Sequence, residues 1–182
     1  RKFKLESLSR RLTEKSHETV LQINLKALEH NLKQYRSKID SSVKMMAMVK
    51  AFSYGSGSFE VANVLQFNNV DYLTVAFVDE GSELRRAGVR LPIMVLSPHE
   101  SAFDDIIEYN IEPEIYSLRI LKAFVEYLRD QNIQNYPIHL KLDTGMHRLG
   151  FMESEIEDLL DILINHKEVK VVSVFSHLVG AG

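Results

Sequence analysis

Lys50 ends the apolar run Met45-Met-Ala-Met-Val49 and leads straight into a stretch of small residues, Ala51-Phe-Ser-Tyr-Gly-Ser-Gly57. An amine behind so apolar a run is partly desolvated. Desolvation disfavours its charged form and leaves a neutral nucleophile suited to an aldehyde. The same position also suits a lysine that simply reaches water from a strand end. Tyr54-Gly-Ser-Gly57 offers backbone amides, hydroxyls and a phenol, a set able to hold a phosphate, although Gly and Ser mark ordinary loops too. Arg148 is a rigid fork for a carboxylate or a phenolate, or a solvated arginine. His177 suits stacking on an aromatic cofactor or moving a proton, or a plain hydrogen bond. Asp143-Thr-Gly145 has the local form of an aspartic-protease nucleus. That chemistry needs two carboxylates sharing a proton, and the chain holds one copy. His139, His147 and His177 lack the spacing of a zinc set.

These residues lie far apart in the chain, so the fold must bring them together. Short apolar strands are read at 20–23, 43–49, 71–76, 91–96, 112–116, 137–143 and 169–175. The run at 45–49 reads as a strand buried on both faces. Helical periodicity separates the strands. Asn24 and Ser117 are read as N-caps, and Ser101 with Asp104 and Ser154 with Glu157 as capping boxes. Gly88 suits the end of a helix over 79–87. Strict βα alternation means right-handed crossovers and a parallel sheet, which places Lys50, Tyr54, the 143–148 stretch and His177 on one carboxyl rim. A doubly wound sheet and a (β/α)₈ barrel both satisfy this rhythm. The pattern alone leans to the open sheet, because the chain is short for eight units. No Gly-x-Gly-x-x-Gly follows the first strand, which weakens a dinucleotide reading.

Composition narrows the class further. The 182 residues are 45% apolar and 26% charged, with a net charge of −3 and no cysteine. That excludes disulfides, zinc–thiolate sites and cysteine nucleophiles, and gives no global attraction to nucleic acid or anionic membranes. No apolar run reaches membrane-spanning length. Residues 1–18 are charged, lack the apolar core of a signal peptide and do not begin with methionine. They read as a linker or entry segment in a chain cut from something longer.

Val49-Lys-Ala-Phe-Ser-Tyr-Gly-Ser-Gly57 resembles the lysine motif of the alanine racemases, commonly Val-Lys-Ala-Asn-Ala-Tyr-Gly-His-Gly. Leu140-Lys-Leu-Asp-Thr-Gly-Met-His-Arg-Leu-Gly150 resembles the family's second signature, where Gly or Asn usually stands in place of His147. Asp79-Glu-Gly-Ser-Glu-Leu-Arg-Arg-Ala-Gly88, Pro92-Ile-Met-Val-Leu96 and Phe175-Ser-His177 are similar too, so the likeness runs from about residue 19 to 182. The departures are Phe52, Ser53, Ser56 and His147.

The resemblance implies an α/β fold, a (β/α)₈ TIM-type barrel truncated to about six βα units. Residues 1–18 would be the linker. Residues 19–182 would be a partial barrel lacking its last strands and the family's C-terminal β-domain. It implies pyridoxal 5'-phosphate held by Lys50 as an internal aldimine, with Lys50 also one of two bases. Tyr54 would contact the cofactor phosphate and Leu96 would line the pocket. Arg148 would bond the phenolate oxygen and lie near the substrate carboxylate. His177 would pack on the pyridine ring. Lys141 matches a lysine that is carbamylated in some members and orients that arginine. The implied activity interconverts L- and D-alanine for peptidoglycan in the bacterial cytoplasm, in a homodimer whose second base is a tyrosine of the partner's C-terminal domain. No nucleic acid, membrane or metal partner is implied. The Lys-Ala-Phe-Ser-Tyr-Gly-Ser-Gly variant resembles the racemase half of fused proteins in which a UDP-N-acetylmuramoyl-tripeptide–D-alanyl-D-alanine ligase comes first. The piece alone is expected to be inactive and to associate through unpaired sheet edges. The alternative is a non-catalytic PLP-binding homeostasis protein on the same barrel. Such proteins resemble a Lys-Thr motif and lack the Tyr-Gly-x-Gly sequel.

Overall fold

A computed structural model describes residues 21–178 of the chain. Its first helix, α1 (Leu25–Arg36), starts at Asn24, whose side-chain oxygen accepts the Ala27 amide at 3.1 Å. Six strands and five further helices then alternate. They run β1 (Met46–Met48), α2 (Ser58–Phe67), β2 (Tyr72–Val75), α3 (Val78–Arg86), β3 (Ile93–Val95), α4 (Phe103–Glu108), β4 (Ile111–Ile115), α5 (Leu118–Asp130), β5 (Tyr136–Leu142), α6 (Ile156–Asn165) and β6 (Val169–Ser176). Every strand pairs in parallel with the next one along the chain, in the order β1-β2-β3-β4-β5-β6. A doubly wound sheet reverses direction at a switch point. This one never does, and such steady winding belongs to a barrel. The open-sheet reading is therefore corrected. The sheet also curls: the Tyr72 ring (β2) lies 5.7 Å from the His139 ring (β5), although two strands separate them.

Alternation along the strands divides the molecule. Leu73, Val75, Ile93, Val95, Ile111, Ile115 and Ile138 are buried in the hydrophobic cluster that the helices cover. From α5, Ile120, Leu121, Phe124 and Leu128 are all 0% exposed, each worth about 1.5–3 kcal/mol of burial. Gly81 lets α3 lie close to the sheet, since a Cβ there would stand 2.8 Å from the Ile111 side chain. The concave face is polar instead. His139 joins Ser173 Oγ at 2.7 Å and Glu112 Oε2 at 2.8 Å, and Lys141 faces Glu114. The base of the barrel is tied by Arg85, whose guanidinium donates to the carbonyls of Val89, Leu91, Tyr109 and Asn110.

Several local expectations change. β1 is shorter than read and is not buried on both faces, because Met46 and Met48 are each 40% exposed. It is the edge of the sheet, with one neighbour only. Residues 21–23 form no strand, and residue 20 lies outside the described residues, as does the leader 1–18. Ser117 does cap α5, but Ser101 turns to His99 Nδ1 at 2.8 Å rather than capping α4. The box read at Ser154 and Glu157 is shifted: Glu155 accepts the Met152 amide at 2.9 Å. A 3₁₀ turn precedes each of these helices and moves its start. Among the described residues, no helix is long and apolar enough to cross a membrane, and no cluster of three or more metal-ligating side chains occurs.

Candidate functional site at the carboxyl rim

Lys50 stands two residues past the end of β1 and is half-buried. The backbone after it coils left-handed: Ala51, Phe52, Ser53 and Tyr54 have φ between 52° and 56°. For L-residues this costs about 1–2 kcal/mol each, so surrounding bonds must hold the turn. Val49 O accepts the Ser53 amide at 3.0 Å and Phe52 O accepts the Gly57 amide at 3.0 Å. The Ala51 amide donates to Glu80 Oε1 on α3 at 2.6 Å. Ser53 is buried under the turn, while Phe52 and Tyr54 are each 66% exposed. The reversed coil thus presents Lys50 and Tyr54 at the same strand end.

The second half of the rim comes from β5 and β6. Asp143 Oδ1 accepts the amides of Gly145 and His147, each at 3.0 Å, and these bonds hold its carboxyl below the usual range. Asp143 therefore shapes a turn, and the Asp-Thr-Gly stretch is a loop scaffold. A short parallel bridge, Leu142 to Phe151, closes the loop that carries Arg148. At Gly150, with φ +128°, a Cβ would stand 2.6 Å from the Asp143 amide nitrogen. Gly150→Ala is expected to cost about 1–3 kcal/mol and to loosen the Arg148 loop, checked by thermal melting and amide exchange at Phe151. Thr144 hydrogen-bonds Ser176, fastening this loop to the strand that ends beside His177.

Behind the rim lies a buried charge pair. Glu114 is 0% exposed and Lys141 6%, with Nζ 3.2 Å from Oε1. Burial raises the Glu114 carboxyl to about 7, against the pull of Lys141 and Arg148. Among the described residues, neither Glu114 oxygen has an aligned hydrogen-bond donor, and buried Thr74 Oγ1 is likewise unpaired. Lys141 also lies 5.7 Å from the Phe175 ring centre.

The structure thus brings Lys50 and Tyr54 together at one strand end and groups Lys141, Glu114 and Arg148 by charge. Leu96 follows β3 at the same rim, held by its amide to Val75 O at 3.0 Å. Arg148 and His177 are exposed at the ends of β5 and β6. Glu80 and Glu114 were not among the residues singled out from sequence. Two acids in Glu112-Pro-Glu114, inside a strand that is otherwise apolar, were the available signal.

Residues 23–182 match the family described as "Alanine racemase, N-terminal domain". The chain belongs to this family. The racemase match takes in Lys50, Tyr54, Leu96, Lys141, Arg148 and His177. The chain is 36% identical over 166 residues to the alanine racemase of Sorangium cellulosum, covering 88% of the chain and 44% of that protein. It is 37% identical over 159 residues to the alanine racemase of Thermodesulfovibrio yellowstonii, covering 86% and 43%. A solved alanine racemase of Clostridium difficile 630, in complex with cycloserine, superposes with a TM-score of 0.86 at 32% identity, covering 92% of this chain and 46% of that one. The chain therefore spans less than half the length of these racemases. Their fold matches the six-unit partial barrel read from the sequence.

Proposed function

We propose that this chain is the cofactor-binding part of an enzyme that interconverts L- and D-alanine with pyridoxal 5'-phosphate. Family membership and relatives named alanine racemase support the activity. A Bartonella henselae alanine racemase of the same fold is described with covalently bound pyridoxal phosphate. The observation that carries the reading is Lys50 at the end of β1, followed at once by the left-handed turn that bears Tyr54.

The donor set fits the cofactor: an amine for its aldehyde, a phenol for its phosphate, a guanidinium for its phenolate and an imidazole for its ring face. When bound, the cofactor withdraws the electron pair left on Cα after its proton is removed. Lys50 would hold the cofactor through its aldehyde, and its amine would hold or move the Cα proton on one face. Tyr54 would hold the phosphate. Arg148 would bind the phenolate oxygen and the substrate carboxylate, with Lys141 as support. Leu96 and His177 would line the ring. Racemisation also needs an acid/base on the opposite face, assigned here to a tyrosine of the partner subunit in a homodimer. The enzyme serves peptidoglycan synthesis in the bacterial cytoplasm, with residues 1–18 as a linker, here from a preceding ligase, and residues 19–182 as the partial barrel.

The test is mass spectrometry after incubation with pyridoxal 5'-phosphate and borohydride reduction of the full-length protein. A reduced adduct on Lys50 is expected, and an unmodified Lys50 overturns the reading. The 182-residue piece alone is expected to form no D-alanine under saturating cofactor, which a coupled D-alanine assay checks.

A further inference from the structure

We infer that Glu80 is a positioning residue for Lys50, acting as a strut between α3 and the left-handed turn. This rests on the assignment of Lys50 as the cofactor lysine and adds a residue to it. Glu80 stands in the first turn of α3, where an acid ordinarily serves the helix N-terminus alone. Here its two oxygens do different work. Oε2 accepts the Ala76 amide at 2.7 Å and the Phe77 amide at 3.1 Å, both at the start of its own helix. Oε1 leaves the helix and accepts the Ala51 amide at 2.6 Å, across 29 residues of sequence.

Ala51 is the residue after Lys50 and the first of the four left-handed residues. Its N–H fixes the peptide plane that joins it to Lys50, and so the direction in which the Lys50 side chain leaves the backbone. The bonds given by the amides of Ser53, Ser56 and Gly57 lie further along the turn. The Glu80 bond is the one that anchors the peptide next to the lysine. A charge-assisted bond from an amide to a carboxylate is about twice as strong as a neutral one, which suits a peptide held in a costly conformation. The strut also links two rim segments, since Ala76 follows β2 and Ala51 stands in the turn after β1.

Asp at this position separates the two duties. Glu80→Asp keeps a carboxylate in reach of the Ala76 and Phe77 amides but is one methylene short of Ala51. In the full-length protein, E80D is expected to melt near the parent while Ala51 amide exchange speeds by about tenfold or more. The rate of acylation of Lys50 by acetic anhydride at a fixed pH, read by mass spectrometry against the other lysines, is expected to rise by about threefold or more as the freed peptide lets the side chain swing out. Arg85→Lys, on the same helix but bound at the base of the barrel, is the control. It is expected to lower the melting temperature and leave the Lys50 acylation rate unchanged. If E80D leaves both Ala51 exchange and the Lys50 acylation rate at parental values, the strut is overturned and Glu80 only caps α3. If E80D does not fold, the same two measurements on Glu80→Gln decide, because one Gln atom becomes a donor and cannot serve both sides. Neither readout uses pyridoxal phosphate, so failure of the cofactor reading appears separately, as an unmodified Lys50 in the borohydride experiment.

Discussion

Lys50→Ala in the full-length protein is expected to lower alanine racemisation by on the order of 10⁴-fold, with little change in melting temperature. General acid–base work by one positioned group contributes about 10²–10⁴-fold. Lys50 is assigned that task on one face of Cα and also covalent capture of the aldehyde, so the loss lies at or beyond the top of the range. The stability cost is small because the side chain is only half-buried, at the open end of an edge strand. Substitutions at such places stay within roughly 0.5 kcal/mol. The left-handed turn begins with the next residue and is anchored through backbone amides and Glu80, none of which the substitution removes. The assay is D-alanine formation with saturating pyridoxal 5'-phosphate. Turnover within tenfold of the parent would sink the assignment of Lys50, and partial recovery on adding methylamine would support it.

The sheet, the rim and the lysine were legible because they rest on period and order. Apolar runs alternating with helical stripes define a parallel βα fold, and a parallel fold places Lys50, Arg148 and His177 at one end whatever the detailed packing. Barrel against open sheet was not decided by the pattern, since both share the same βα rhythm; the family resemblance and then the unbroken strand order chose between them. The left-handed turn was hidden for a related reason. Phe52 and Ser53 have no local preference for positive φ, so the conformation is imposed by Val49 O and Glu80 from outside the turn. His147 shows the same physics, because its φ of 54° is one that Gly or Asn, usual there in the family, adopts at less cost. Glu80 looked like any acid in a first helical turn, and only its second oxygen reveals the long-range role. The Asp143 turn misled in the opposite direction. Asp-Thr-Gly has a catalytic precedent, whereas here Oδ1 takes two amides of its own loop and Oδ2 faces His147 Nδ1 at 3.2 Å. The capping boxes at Ser101 and Ser154 failed because a 3₁₀ turn shifts each helix start, which spacing rules do not foresee.

Lys141→Met is expected to destabilise the fold by about 3–5 kcal/mol above neutral pH, since it leaves Glu114 as an unpaired buried charge. The pH dependence follows from Glu114. Its carboxyl rises from 4.5 unfolded to about 7 folded, chiefly by burial. Between these values the folded state binds more protons than the unfolded one, so stability falls as pH rises, by at most about 3 kcal/mol over the window. Stability is highest below about 4.5 on this term and levels off above about 7. Lys141 pulls the carboxyl down, so removing it raises the folded value further and extends the fall past neutrality. The deficit of Lys141→Met is therefore larger at alkaline than at mildly acidic pH. Glu114→Gln has the opposite signature. It removes the titration, flattens the slope between these pH values, and paired with Lys141→Met recovers most of the lost stability, because both ends of the buried pair are then neutral. Urea melts of the single and double variants across this pH range measure all three. A Lys141→Met deficit that does not vary with pH would show that Lys141 acts through packing against Phe175 instead of through charge.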